Sequence, residues 1–201
     1  MTRAAEYAIS ATNRVYIIGP TGSGKTTLLA QLVGYLPANW PVVGIDPKPA
    51  RDMKKLFTRS LKGPDDIAVM KGRARVHRPT FERGAYDEYL RAVWARQNCT
   101  VVIDDLRLLM LHGTTNDLET LLVAGRERGI GVWSCMQRPI DLLELITEAE
   151  WIFAFKLQMR KDRERIAERG FDADAAFSQL KSDHDFLMHR RGWDKPQIMN
   201  T

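Results

Sequence analysis

Six short runs of mostly apolar, β-forming residues punctuate the chain: Val15–Ile18, Val42–Ile45, Ala74–His77, Thr100–Ile103, Gly131–Cys135 and Trp151–Phe155. Between them lie longer stretches that read as amphipathic helices, over about 24–35, 48–60, 82–97, 115–128, 140–147 and 160–168. Strands that alternate with helices predict βαβ units around a parallel sheet. Most of the strand runs are apolar at every position rather than at every second one, the pattern of a sheet covered by helices on both faces. The end of the chain reads differently. Asp185–Arg190, a turn at Arg191-Gly192-Trp193-Asp194, and Lys195–Met199 make a hairpin pattern that adds antiparallel strands at one edge. No repeat, low-complexity tract or linker interrupts the series. Residues 1–201 are therefore read as one α/β domain, with a core over about 14–157 and a C-terminal helical and hairpin extension over about 158–201.

Composition narrows the class. A hydrophobic share of 44% in 201 residues is enough for a real core and excludes disorder as the main state. Two cysteines, Cys99 and Cys135, exclude a disulfide scaffold; both sit in apolar runs, as reduced thiols in a cytoplasmic setting would. No stretch approaches the roughly 18 apolar residues of a membrane span. Met1–Glu6 lacks the charged-then-apolar pattern of a signal peptide. His77, His184 and His189 show no metal-ligand spacing with the cysteines, so no zinc site is expected.

The strongest chemical signal is Gly19-Pro20-Thr21-Gly22-Ser23-Gly24-Lys25-Thr26, a full match to G-x-x-x-x-G-K-[ST]. It follows a strand and runs into the helical stretch Thr27-Leu28-Leu29-Ala30, the context the motif requires. Its glycines permit torsions that let successive N–H groups cradle phosphates at the positive end of a helix. Lys25 would reach the β/γ-phosphates, and the Thr26 hydroxyl would ligate Mg²⁺. A P-loop fold also needs an acid at the tip of a second buried strand. Thr100-Val101-Val102-Ile103-Asp104-Asp105 supplies it: Asp104 completes the metal site, and Asp105 is placed to orient the attacking water or, more plainly, to cap a turn.

Three further features extend this pattern. The run Ala74–His77 lies between the P-loop and Asp104 in addition to Val42–Ile45, which suits the branch of P-loop folds in which another strand separates the two nucleotide-binding strands. In Gly125-Arg126-Glu127-Arg128-Gly129-Ile130 a helix ends in arginines, Gly129 breaks it, and the next strand delivers Gln137 to the tip of the sheet, where it can sense the γ-phosphate. Asp46 and Lys48 stand at another strand tip, on the edge where open α/β sheets bind ligands; an acid and a lysine there also suit a surface pair, and they stay outside the catalytic set.

Taken together, Gly19–Thr26, Ile45–Lys48, Val101–Asp105, Arg126–Gln137 followed by Arg138-Pro139, and more weakly Trp151–Phe155, resemble the FtsK–HerA superfamily of DNA-pumping ATPases. That family usually carries Glu where this chain has the shorter Asp105. The chain carries neither the membrane-anchoring nor the DNA-orienting domains of the large chromosome translocases. In that economy it is similar to the genome-packaging ATPases of tailless icosahedral viruses with an internal membrane. The resemblance implies a homo-oligomeric ring with ATP and Mg²⁺ between subunits. It implies Arg126, or failing that Arg128, as a finger reaching the neighbour's site, although a cation at a helix C-terminus is favourable on its own account. It further implies double-stranded DNA as partner, with a capsid vertex or viral membrane protein as the docking site, in the host cytoplasm or on the virion.

Charge adds a location for the DNA. The chain holds 30 Lys and Arg against 25 Asp and Glu, a net of +5. Residues 48–83 alone hold eleven Lys and Arg against four acids, a local +7 that leaves the remainder slightly acidic. A basic segment of this kind is the footprint of phosphate-backbone contact without sequence reading. Arg107–Asn116 is a second candidate for a channel-facing loop, whereas Lys161–Arg165 mixes signs and reads as a solvated helix face. The function expected is ATP-driven packaging of viral double-stranded DNA. The rivals are a conjugation, plasmid or phage-export motor, and a nucleotide-dependent switch or scaffold with little turnover.

Overall fold

The computed structural model describes residues 9–47, 51–77, 84–111, 116–139 and 147–200. All six strand runs are strands: β1 (Arg14–Ile18), β2 (Val42–Asp46), β4 (Arg73–His77), β5 (Cys99–Ile103), β6 (Ile130–Met136) and β7 (Trp151–Phe155). A two-residue strand, β3 (Arg59–Ser60), precedes β4, and the hairpin β8 (Asp185–Arg190) and β9 (Gln197–Asn200) closes the chain. They form one sheet in the order β3-β4-β2-β5-β6-β1-β7-β8-β9. Pairing is parallel from β3 to β7 and antiparallel for the hairpin.

The helices are α1 (Lys25–Gly34), α2 (Arg51–Leu56), α3 (Asp66–Val69), α4 (Asp87–Arg96), α5 (Leu106–Leu111), α6 (Asn116–Ala124), α7 (Arg160–Ala167) and α8 (Ala173–Ser178), with a 3₁₀ turn at Gly125–Arg128. Side chains alternate across the sheet as the pleat requires. Val15 and Ile17 of β1 pack with Leu28, Leu29, Leu32 and Val33 of α1 and with Met53 of α2, on one face. Tyr16 and Ile18 face the other way, into the larger core that buries α4, α6, α7 and α8. Both faces are covered, which is why the central strands are apolar throughout.

Several expectations change. The helix expected over 48–60 stops at Leu56, because Phe57 turns into the core and lays its ring over Gly44 of β2. Arg59 and Ser60 then pair with β4 as an edge strand. The helix over 115–128 is α-helical only to Ala124 and tightens into the 3₁₀ turn. Helices α3, α5 and α8 have four to six residues, too short for a helical period to register. The helix expected over 140–147 lies, but for its last residue, outside the described residues. A strand does separate the two nucleotide-binding strands; it is β6, while the Ala74–His77 run lies beyond β2. No helix among the described residues is long and apolar enough to cross a membrane. Cys99 and Cys135 are buried and unbonded to each other, and burial pushes the Cys99 thiol up to about 12.

Candidate nucleotide site

The P-loop connects the end of β1 to the start of α1. Gly22 and Gly24 adopt φ values of 84° and 103°, the left-handed region that residues with a Cβ avoid. Gly24 stands at the N-cap of α1 and makes no side-chain cap bond, so the positive end of the helix opens onto the loop. The loop is tied at its base, where Gly19 N–H donates to the Met136 carbonyl at 3.1 Å. It is closed across its span by Lys25 Nζ, which donates to the Pro20 carbonyl at 2.7 Å.

Parallel pairing brings the tips of β1, β6 and β5 side by side, and the candidate residues follow. Thr26 Oγ1 donates to Asp104 Oδ1 at 2.7 Å. Asp104 is 3% exposed and Asp105 8%. Asp105 Oδ1 accepts the Leu108 N–H at 3.0 Å and so caps α5, the plainer of the two roles the sequence allowed. Gln137 is the first residue past β6 and is exposed. Thr21, Gly22, Gly24, Lys25, Thr26, Thr27, Asp104, Asp105 and Gln137 all line one cleft of about 260 Å³. Gly19, Pro20 and Ser23 belong to the loop but not to the cleft wall.

The donor set at the foot of the cleft suits magnesium. A hydroxyl and a carboxylate in direct contact are hard oxygen donors, and Mg²⁺ takes few protein ligands, with phosphate oxygens and water completing its shell. No group of three or more His, Cys, Asp or Glu among the described residues could hold a metal unaided.

Arg126 and Arg128 lie elsewhere. Their 3₁₀ turn precedes the first residue of β6, at the end of the sheet opposite the P-loop. A strand of five to seven residues separates them from their own cleft, about 17–23 Å at ~3.3 Å per residue. Arg126 is exposed and pairs with Glu150 Oε1 at 2.8 Å. Arg128 is half-buried, its guanidinium stacked 4.5 Å from the centre of the Trp94 ring.

The basic segment divides into two classes. Lys54, Lys55, Arg59, Lys62 and Lys71 are exposed. Arg73 instead donates to the Gly34 and Leu36 carbonyls, and Arg75 pairs at 2.7 Å with Asp46, which has 0% exposure. Asp46 is thus a buried strand-tip acid that pairs with Arg75. Lys48, Arg78, Arg83 and the stretch 112–115 of the second candidate loop lie outside the described residues.

Two contacts have no counterpart in the sequence reading. Arg138 forks onto Asp162 of α7, with Nε–Oδ2 at 3.1 Å and Nη2–Oδ1 at 3.2 Å. Asp162 is 3% exposed, so the Lys161–Arg165 face is not simply solvated; this bridge anchors the residue after Gln137. His184 Nδ1 donates to the Ser23 carbonyl at 3.2 Å, which joins the C-terminal extension to the P-loop. Only the Arg138-Pro139 signature pointed toward the first, and nothing local marked the second.

No family model matches the sequence. No curated protein matches it either. Solved structures do match. Over 94% of this chain and 98% of the other, the fold is similar to the genome packaging NTPase B204 from Sulfolobus turreted icosahedral virus 2 in complex with AMPPCP, with a TM-score of 0.74 and 19% identity. EssC (ATPases 2 and 3) from Geobacillus thermodenitrificans matches 94% of this chain with 40% of its own, at TM-score 0.62 and 12% identity. The cytoplasmic domain of the Thermomonospora curvata type VII secretion ATPase EccC matches 94% with 24% of its own, at 0.59 and 13%. At such identities the likeness is one of fold.

Proposed function

We propose that this chain is a Mg²⁺-dependent ATPase that drives double-stranded DNA into a preformed viral capsid as a homo-oligomeric ring. The observation that carries the nucleotide half is the contact of Thr26 with Asp104 at the mouth of α1, with Asp105 and Gln137 facing the same cleft. The packaging half is supported by a viral genome packaging NTPase having the same fold over nearly its whole length.

In this reading the uncapped first turn of α1 and the P-loop N–H groups bind the phosphates. Lys25 leaves the Pro20 carbonyl and adds its charge at the β/γ-phosphates. A magnesium ion held by Thr26, with Asp104 behind it, would neutralise charge on the bridging oxygens. Asp105 orients the attacking water, and Gln137 reports the γ-phosphate. Arg126 is too far from its own cleft and exposed enough to serve a neighbour's, whereas Arg128 is held by Trp94. The exposed Lys54, Lys55, Arg59 and Lys62 grip the DNA backbone without reading sequence. A capsid vertex or viral membrane protein is the docking partner of the ring.

One observation favours a second reading, a nucleotide switch with little turnover: Asp105 is short, and one of its oxygens is used to cap α5. Steady-state ATP hydrolysis, titrated with double-stranded DNA of unrelated sequences, separates the two. A motor turns over faster with any duplex and loses turnover in Lys25→Ala. In Lys54→Ala/Lys55→Ala the DNA stimulation needs more DNA and responds less steeply to salt. Slow turnover, flat across DNA additions, would favour the switch.

A further inference from the structure

The side chain of His184 joins the C-terminal extension to the P-loop. β8 runs antiparallel to β7, with Phe186 opposite Phe155, so the residues leading into β8 sit at the same end of the sheet as the loop that follows β1. His184 is not part of the cleft wall; it reaches the Ser23 carbonyl oxygen, 3.2 Å from its Nδ1. A carbonyl only accepts, so the hydrogen of this bond is on Nδ1.

The turn that presents His184 is built on one carboxylate. One oxygen of Asp185 accepts the Lys181 N–H at 2.7 Å and the Ser182 N–H at 2.8 Å. The other accepts Ser182 Oγ at 3.0 Å and Asn200 Nδ2 at 2.6 Å. His184 N–H in turn donates to Ser182 Oγ at 3.2 Å. Asn200 belongs to β9, so both strands of the hairpin brace the turn. These donors hold the Asp185 carboxyl at about 2, well below the ordinary carboxylate range.

What the contact fixes is the peptide between Ser23 and Gly24. In a trans peptide the C=O and N–H point in opposite directions, and the described residues contain no cis peptide. With the Ser23 carbonyl bonded to His184, the Gly24 N–H of the same trans peptide points away from His184, and Gly24 itself lines the cleft. Gly24 is at φ 103° and has no Cβ to resist rotation of that peptide. The bond from His184 adds a restraint from outside the loop to the local ones, Ser23 N–H to the Pro20 carbonyl and Leu28 N–H to the Gly24 carbonyl.

We propose that His184 is a positioning residue for nucleotide binding, which holds the Ser23–Gly24 peptide with its N–H aimed at the phosphates. This rests on the reading of the P-loop as a nucleotide site. It also makes the hairpin β8–β9 a support of the P-loop rather than a passive edge of the sheet.

Calorimetric titration of the full chain with ATP and, separately, with inorganic tripolyphosphate tests it, using wild type, His184→Ala and His184→Asn. The Asn side-chain amide puts an N–H donor near the place of Nδ1. His184→Ala should weaken both ligands by the same factor, roughly three- to tenfold, the value of one net hydrogen bond. His184→Asn should recover most of that loss. A loss for ATP with tripolyphosphate unaffected would put His184 against the nucleoside and overturn the positioning role. No loss in His184→Ala, or an Asn variant as weak as the Ala variant, overturns it too. If wild type itself binds neither ligand, the nucleotide-site reading fails before His184 is in question.

Discussion

Gly131, the second residue of β6, stands where the chain leaves no room for a side chain. A Cβ there would lie 2.0 Å from the Ala11 carbonyl oxygen, 2.9 Å from its carbon and 3.1 Å from the Asn13 carbonyl oxygen. These are backbone atoms of a tight turn, closed by Asn13 N–H to the Ser10 carbonyl at 3.0 Å and by Ser10 N–H to Asn13 Oδ1 at 2.7 Å. They cannot step aside singly. The Ala11 oxygen also accepts Thr100 Oγ1 at 2.7 Å, and that hydroxyl accepts Trp40 Nε1 at 2.8 Å; Thr100 has 0% exposure. Gly131→Ala must therefore lift the turn and break the Thr100–Ala11 bond. Overpacking of this kind costs ~1–3 kcal/mol and the hydrogen bond ~1 kcal/mol, together about 2–4 kcal/mol. For a chain of this length that is a fall in Tm of roughly 5–15 °C. Thermal and urea unfolding followed by far-ultraviolet circular dichroism measures it. Gly34→Ala is the matched control. It closes α1 with nothing within 4 Å of a new Cβ, and should gain ~0.5–1 kcal/mol. A Gly131→Ala protein within ~0.5 kcal/mol of wild type, or a shift of the same sign in both variants, would refute the reasoning.

Two more outcomes are expected. Each of Arg126→Ala and Lys25→Ala alone should lose most turnover, Arg126→Ala by about 10³-fold or more. If the finger acts between subunits, mixing the two restores part of it, since the mixture contains interfaces with an intact P-loop facing an intact arginine; no recovery on mixing argues against the trans role. His189 accepts from Arg169 Nε at 3.5 Å and donates from Nε2 to the Trp193 carbonyl at 2.9 Å, the neutral tautomer. Burial first, then the Arg169 charge, pushes its pKa below the ordinary 6.5, against the Trp193 carbonyl, which favours the proton. The unfolded chain therefore binds that proton more readily, so the contribution is full above pH 6.5 and is lost as pH falls through that value toward the lowered folded pKa. Tm should fall between pH 7.5 and 5, and fall less in His189→Gln; equal falls would count against it.

Much of the site was legible because its signals are local. Gly22 and Gly24 are required by torsion, Lys25 and Thr26 by their spacing from those glycines, and Asp104 by a buried strand that must end at the ligand edge. Parallel pairing then brings these tips together without further instruction. The basic segment was legible only as a sum. Arg73 and Arg75 looked identical to Lys54 and Lys55 in composition, yet the fold commits the first pair to backbone carbonyls and to Asp46 and leaves the second pair exposed. Asp162 was misread for the same reason: its helix mixes charges, and only the approach of Arg138 from another element makes it a buried partner.

The sequence by itself determined every strand but the two-residue β3, the P-loop and the acids that face it, because each rests on a backbone requirement within a few residues. The tertiary structure alone decided which strand separates β1 from β5, which arginine is exposed at the far end of the sheet, and that His184 stands on the Ser23 carbonyl. Those outcomes depend on pairings between residues up to 161 positions apart. No spacing rule reaches that far, since such contacts are selected by how the whole sheet packs rather than by the chain near either partner.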